Sequence, residues 1–212
     1  QAGELAAFRI EDFKRELIAG IRDRVGDKQV VCGVSGGVDS TVLAVLLKEA
    51  GVNTRAIFVD HGLMRMDEGD EVRNNFHRMG VDIETVECSE LFLGQLADVS
   101  DPEEKRKIIG NLFIDVFWDT VGDAEMLAQG TLYPDVIESA SNAKSKASKI
   151  KTHHNRVPRI LELQKQGKVL EPLAELFKDE VRELGASLGI PHDILHRHPF
   201  PGPGLAVRCP GA

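Results

Sequence analysis

Ser35-Gly36-Gly37-Val38-Asp39-Ser40 is the stretch of this sequence best suited to chemistry. It follows the apolar run Val30-Val31-Cys32-Gly33-Val34 and precedes Thr41-Val42-Leu43-Ala44-Val45-Leu46-Leu47. The order reads as a buried strand, a glycine-rich turn and a helix. Such a junction makes an anion site. Glycines let the backbone come close to a phosphate, and the free N–H groups of the helix start point at it with the positive end of the dipole. Ser35 and Ser40 add hydroxyl donors. The lysine of a G-x-x-x-x-G-K-[ST] loop is absent, and Asp39 stands in the turn instead. A carboxylate beside a polyphosphate needs a counter-ion, and Mg²⁺ is the usual one. Asp39 is therefore the first candidate metal ligand. A side chain at Gly37 is expected to fill the anion site or strain the turn.

The surrounding pattern supplies elements to hold that loop. Phe8, Ile10, Phe13, Leu17, Ile18 and Ile21 recur at helical spacing and predict an opening amphipathic helix. A strand is expected at about 29–34, and the helix after the loop ends near Gly51. Thr54 to Asp60 reads as a second buried strand, 67–79 as a helix closed by Gly80, and 81–86 as a third strand. Asp101-Pro102-Glu103-Glu104 has the cap–proline–acid start of a helix reaching about Val121. A fourth strand covers 126–130, and 156–170 reads as a linker with a short helix before Val169-Leu170. Strands alternating with helices predict an α/β fold: a doubly wound parallel sheet with helices on both faces. Ligands in such folds bind at the carboxyl ends of the strands. The expected division is an N-terminal helix at 1–24, one domain at 25–208 and a tail at 209–212. From Ser139 to Lys151 large apolar residues almost vanish, while Lys144, Lys146, Lys149 and Lys151 accumulate. That composition fits a solvated loop, and equally a lid at about 139–158 that closes on polyphosphate.

Composition narrows the classes. The chain has 212 residues, 42% hydrophobic and 28% charged, which suits one sizeable α/β domain. A net charge of −8 argues against broad nucleic-acid contact. No apolar run reaches the ~20 residues of a membrane helix, and Gln1-Ala2-Gly3-Glu4 does not read as a signal peptide. Cys32, Cys88 and Cys209 are widely spaced and read as reduced thiols, so a cytoplasmic protein is expected.

The loop Ser-Gly-Gly-Val-Asp-Ser resembles the signature of the N-type ATP pyrophosphatases, which cleave ATP between the α- and β-phosphates and adenylate an oxygen of a substrate. Further segments resemble GMP synthetases. They are 129–139, Ile150-Lys151-Thr152-His153-His154-Asn155, Glu171-Pro172-Leu173 with Phe177 to Arg182, and Arg197-His198-Pro199-Phe200-Pro201-Gly202-Pro203-Gly204-Leu205. The resemblance runs from about residue 8 to about residue 208. It implies an adenine nucleotide alpha hydrolase-like fold, with ATP and Mg²⁺ as cofactors. It also implies a two-step reaction: ATP adenylates xanthosine monophosphate and pyrophosphate leaves, then ammonia displaces AMP to give GMP.

The resemblance also assigns candidates. Ser35, Gly36, Gly37, Val38, Asp39, Ser40 and Thr41 would hold ATP, together with Gln129, Gly130 and the strand end Phe58, Val59 and Asp60, whose main chain reads adenine. Asp60 reads equally as a turn cap before Gly62. Asp39 and Asp135 are the metal candidates, Asp135 with the alternative of a cap after Pro134. Lys151 and Lys178 are the candidate catalytic cations, each with the alternative of an ordinary solvated surface lysine. His198, Pro199, Phe200, Pro201, Gly202, Pro203 and Gly204 would meet the nucleotide substrate, or form an exit linker. His153-His154 lacks a third ligand at metal spacing and suits a phosphate or lid contact better than zinc. The glutaminase domain that supplies ammonia and the C-terminal dimerisation domain are not among these 212 residues. After the histidines, Asn155-Arg156-Val157-Pro158-Arg159 replaces the family's usual Asn-Val-Gly-Gly-Leu-Pro. ATP binding is thus implied more firmly than complete GMP synthesis. A different N-type pyrophosphatase, such as an NAD synthetase, and a non-catalytic ATP-binding subunit are the alternatives.

Overall fold

The computed structural model describes residues 2–63, 67–132 and 157–197. The lid segment, Asp135, Lys151, His153, His154 and the stretch His198 to Gly204 lie outside the described residues, apart from the lid's last positions, 157 and 158. An opening helix, α1 (Ala2–Val25), leads into β1 (Val30–Val34), α2 (Val38–Glu49), β2 (Thr54–Asp60), α3 (Glu68–Arg78) and β3 (Ile83–Glu87). Then come α4 (Ser89–Leu96), α5 (Pro102–Val121), β4 (Met126–Ala128), α6 (Val157–Lys165), β5 (Val169–Leu170), α7 (Lys178–Ser187) and α8 (His192–Leu195).

The five strands form one sheet in the order β3-β2-β1-β4-β5. Every pairing is parallel. The chain winds from β1 outward through β2 to β3, then crosses back to place β4 on the other side of β1. The strand order therefore reverses between β1 and β4. In a doubly wound sheet that reversal opens a crevice at the strand ends.

Both faces are covered, and the strands show it. Val30, Cys32 and Val34 of β1 pack into one core with α1, α2, α3, α7 and α8, through residues such as Ile21, Leu43, Phe76, Val181 and Ile194. Val31 faces a second core with Phe92 of α4, Phe117 and Trp118 of α5 and Leu163 of α6. Near-continuous apolar runs are what a sheet buried on both sides requires.

Several boundaries differ from the sequence expectation. Val81 does not open β3; its N–H donates to the Phe76 carbonyl at 2.9 Å and closes α3. β4 stops at Ala128, before Gln129 and Gly130. The helix α4 has no counterpart in the sequence reading. Its Leu91 and Leu93 are exposed and only Phe92 is fully buried, so its apolar positions show no helical stripe. The start of α5 is as the sequence suggests: the Asp101 carboxylate accepts from the Glu104 N–H at 2.8 Å, with Pro102 at the first helical position. Among the described residues, no helix is long and apolar enough to cross a membrane.

Candidate functional site

The turn between β1 and α2 is built by its own hydroxyls. Gly36 takes φ +77°, a left-handed conformation that only glycine adopts cheaply. Gly37 follows as the N-cap of α2 with φ −70° and ψ 157°, an ordinary extended geometry. The Ser35 N–H donates to Ser40 Oγ at 3.1 Å, closing the loop on itself. Ser40 Oγ lies 3.3 Å from the Gly37 carbonyl, and Thr41 Oγ1 donates to that same oxygen at 2.7 Å. The first N–H groups of an α-helix have no intrahelical acceptor. At α2 these belong to Gly37, Val38, Asp39 and Ser40, and they carry the positive end of the helix dipole.

A cavity of about 540 Å³ opens in front of them. Its walls are Ser35 to Ser40, then Gly130 and Thr131 from the end of β4, then Lys178, Arg182 and Arg197. It therefore lies at the reversal point between β1 and β4. Gly130 comes so near the loop that an added Cβ would stand 3.5 Å from the Asp39 carbonyl, which is ordinary contact. Lys178 Nζ donates to Asp39 Oδ1 at 2.7 Å across 139 positions of sequence. Both side chains are partly exposed, at 45% and 31%, so solvent screens the pair and its value to stability is modest.

A smaller cavity of about 240 Å³ adjoins the first and shares Gly130. Its walls are apolar and aromatic: Gly33, Phe113, Ile114, Phe117, Trp118, Leu127, Ala128 and Ile160, with Gln129 at the edge. Gly33 leaves the space open, since a Cβ there would meet the Phe117 ring at 3.6 Å. Arg159 lies over the Trp118 ring, 4.4 Å from its centroid, and donates to the Gly122 carbonyl.

The structure thus brings together Ser35, Gly36, Gly37, Val38, Asp39, Ser40, Gly130 and Lys178. It leaves other candidates elsewhere. Thr41 is buried, with its hydroxyl spent on the Gly37 carbonyl, and does not line the cavity. Asp60 accepts from Arg73 Nη1 at 3.0 Å and from the Gly62 N–H at 3.3 Å. The turn-cap alternative describes it, and Asp60 does not line the loop cavity. Phe58 and Val59 have buried side chains. The β1–β2 ladder ends at Val34–Phe58, so the main chain of Val59 and Asp60 is paired with β3 alone. The strain expected at Gly37 belongs to Gly36. A Cβ on Gly37 would meet only Ser35 Oγ, at 3.5 Å.

Arg182, Arg197 and Thr131 were missed by the sequence reading. Arg182 carried a signal, because it stands four positions after Lys178 on one helix and so shares its face. No group of three or more His, Cys, Asp or Glu that could hold a metal occurs among the described residues. A metal at Asp39 would thus draw most of its ligands from phosphate oxygens and water, a donor set that suits Mg²⁺.

Comparison with known proteins agrees with this geometry. Residues 10–96 match the family model of the PP-loop domain. The chain is 51% identical over 214 aligned residues to a glutamine-hydrolysing GMP synthase of Thermosipho melanesiensis, covering 96% of this chain and 41% of that protein. It is 53% identical to the glutamine-hydrolysing GMP synthase of a Ruegeria species, covering 99% of this chain and 41% of the relative. The chain thus spans about two fifths of the length of the curated relatives it matches. Among solved structures, NMN synthetase from Francisella tularensis superposes with a TM-score of 0.67 at 18% identity, over 92% of this chain and 76% of that one, which speaks for the fold alone. The sheet and its winding are those of a doubly wound α/β fold of the adenine nucleotide alpha hydrolase-like kind; residues 10–96 are similar to a PP-loop domain, and nearly the whole chain is similar to part of the GMP synthases.

Proposed function

We propose that this chain is the ATP-pyrophosphatase part of a GMP-forming ligase. It adenylates xanthosine monophosphate with ATP, releases pyrophosphate, and leaves the adenylate for displacement by ammonia to give GMP and AMP. The observation that carries the reading is the cavity at the β1–β4 reversal, where the α2 amides, Asp39 and Lys178 converge. The β- and γ-phosphates of ATP rest on the amides of Gly37 to Ser40. Asp39 would hold Mg²⁺, which would offset the charge that builds on the leaving pyrophosphate, and Lys178 supplies a second cation. The adjoining aromatic cavity, joined to the first at Gly130, suits a flat base. The main chain of Val59 and Asp60, next to Phe58, offers hydrogen-bonding groups past the end of β1. The family resemblance offers Asp135 as a second metal ligand, Lys151 as a second catalytic cation and His198 to Gly204 as contacts for the nucleotide substrate; all of them lie outside the described residues.

Pyrophosphate release tests this reading. It should require ATP and Mg²⁺ and should rise when xanthosine monophosphate and ammonia are added. Asp39→Ala should abolish it while leaving the circular dichroism spectrum unchanged, because among the described residues the Asp39 carboxylate bonds Lys178 alone, at a partly exposed site. Release at the wild-type rate in that variant would overturn the assignment. Trp118 is the chain's single tryptophan and lines the aromatic cavity, so ATP should change its fluorescence where AMP-free pyrophosphate does not.

A further inference from the structure

We propose that Arg182 is a pyrophosphate-binding residue, the third donor beside the α2 amides and Lys178, and the one that grips the leaving group as it separates. The inference rests on the pyrophosphatase reading above and adds a residue and a ligand to it. Among the described residues, three cations line the loop cavity, Lys178, Arg182 and Arg197, against one carboxylate, that of Asp39. That excess of positive charge sits in a chain whose net charge is −8. Two of the three cations hold acids closely: Lys178 Nζ is 2.7 Å from Asp39, and Arg197 Nη2 is 2.8 Å from Glu71. Arg182 differs. Its acidic neighbour, Asp179, is 3.3 Å away, and that side chain is 94% exposed to solvent. Arg182 Nε donates to the Leu195 carbonyl at 3.3 Å, which fixes the direction of the guanidinium. Its Nη2 donates no hydrogen bond among the described residues.

Position adds to the case. Lys178 and Arg182 are one helical turn apart on α7, so both side chains leave the same face toward the cavity. A guanidinium presents a planar fork that takes two phosphate oxygens at once, whereas an ammonium acts as a point charge. Cleavage between the α- and β-phosphates leaves a polyanion with oxygens spread over two phosphorus atoms. One fork and one point charge side by side match that shape.

Calorimetric titration of the chain with inorganic pyrophosphate and Mg²⁺, and separately with adenosine, decides the matter. Arg182→Gln should weaken pyrophosphate binding about tenfold to a hundredfold, the cost of one charge-assisted hydrogen-bonding group, while adenosine affinity stays unchanged. Arg106→Gln, an arginine outside the cavity, should match wild type. If the lost Leu195 contact unfolds Arg182→Gln, Arg182→Lys decides. It keeps the charge, loses the fork, and should bind pyrophosphate several-fold more weakly. Wild-type pyrophosphate affinity in a folded Arg182→Gln, or in Arg182→Lys, would overturn the role of Arg182 and leave the pyrophosphatase reading standing. A wild-type chain that binds neither pyrophosphate nor adenosine would overturn both.

Discussion

The loop shows how unequally neighbouring residues carry a site. Gly36 and Gly37 are the same residue type in the sequence, yet only Gly36 has positive φ. Gly36→Ala should therefore destabilise the loop by roughly 1–2 kcal/mol, the usual cost of a left-handed non-glycine residue, and weaken ATP binding. Gly37→Ala should fold normally, with its Cβ at 3.5 Å from Ser35 Oγ. Urea midpoints of the two variants, with ATP titrations, check the contrast; equal effects would refute it. A doublet of glycines announces a turn, but which member needs the left-handed conformation depends on backbone angles that composition does not encode. His61, at the end of β2, makes a different residue-scale claim. Its Nδ1 accepts from the Leu63 N–H at 3.0 Å, and its ring lies 5.5 Å from that of Phe92. Burial lowers its pKa below the ordinary 6.5, against a smaller opposing pull from the Asp60 charge. The unfolded chain then takes up a proton that the folded chain resists. The stability due to this group is complete above about pH 6.5 and is lost as pH falls from there through the folded-state value. Between pH 7.5 and pH 5, the wild type should lose more in urea midpoint than His61→Asn, whose amide oxygen keeps the acceptor without titrating. Identical pH slopes would count against it.

At the scale of elements, α7 matters more than its length suggests, because it aims Lys178 and Arg182 at the loop. Its placement depends on Gly185. A Cβ there would stand 2.6 Å from Leu195 Cδ2 and 3.1 Å from Val42 Cγ2, so α7 packs hard against both α2 and α8. Gly185→Ala gains up to ~1 kcal/mol of helix propensity. Forcing Leu195 from a filled core costs about 1–3 kcal/mol. Overpacking wins, and the variant should melt lower than wild type and bind pyrophosphate less well, since α7 must shift away from α2. A higher melting temperature would show that the Leu195 side chain gives way freely. Sequence pattern alone made β1, β2, α2 and α5 legible, because continuous apolar runs and a capped helix start are local signals. It did not reveal α4, whose exposed Leu91 and Leu93 owe nothing to a core-facing stripe. The pairing of Lys178 with Asp39 was equally hidden, since the two are brought together by the fold of the whole sheet.

At the scale of the molecule, the sheet order and the place of the cavity follow from one reversal of winding, which the alternation of strands and helices foreshadows. Which strands flank that reversal is a long-range property, decided by how the apolar faces of α2, α5 and α7 are covered. The same two-sided burial bears on ammonia supply. Glutamine hydrolysis by a cysteine needs a thiolate, hence a thiol whose pKa is lowered by nearby positive charge or a helix N-terminus. Cys32 lies in the centre of β1, where burial pushes its thiol up to about 12. The Cys88 thiol is raised too, by burial first and then by the negative charges of Glu87 and Asp60. Both shifts run opposite to the lowered pKa that such a nucleophile needs; Cys209 lies outside the described residues. A Cys209→Ser variant of these 212 residues, which keeps only the two described thiols, should therefore release no glutamate from glutamine above background, while free ammonium salts support whatever GMP formation it achieves. Iodoacetamide should leave Cys32 unmodified in the folded chain and label it only after denaturation. Glutamate release that disappears in Cys32→Ala or Cys88→Ala would show that one of these thiols becomes accessible and ionised during turnover, and that the buried core of this sheet opens far more than its packing allows.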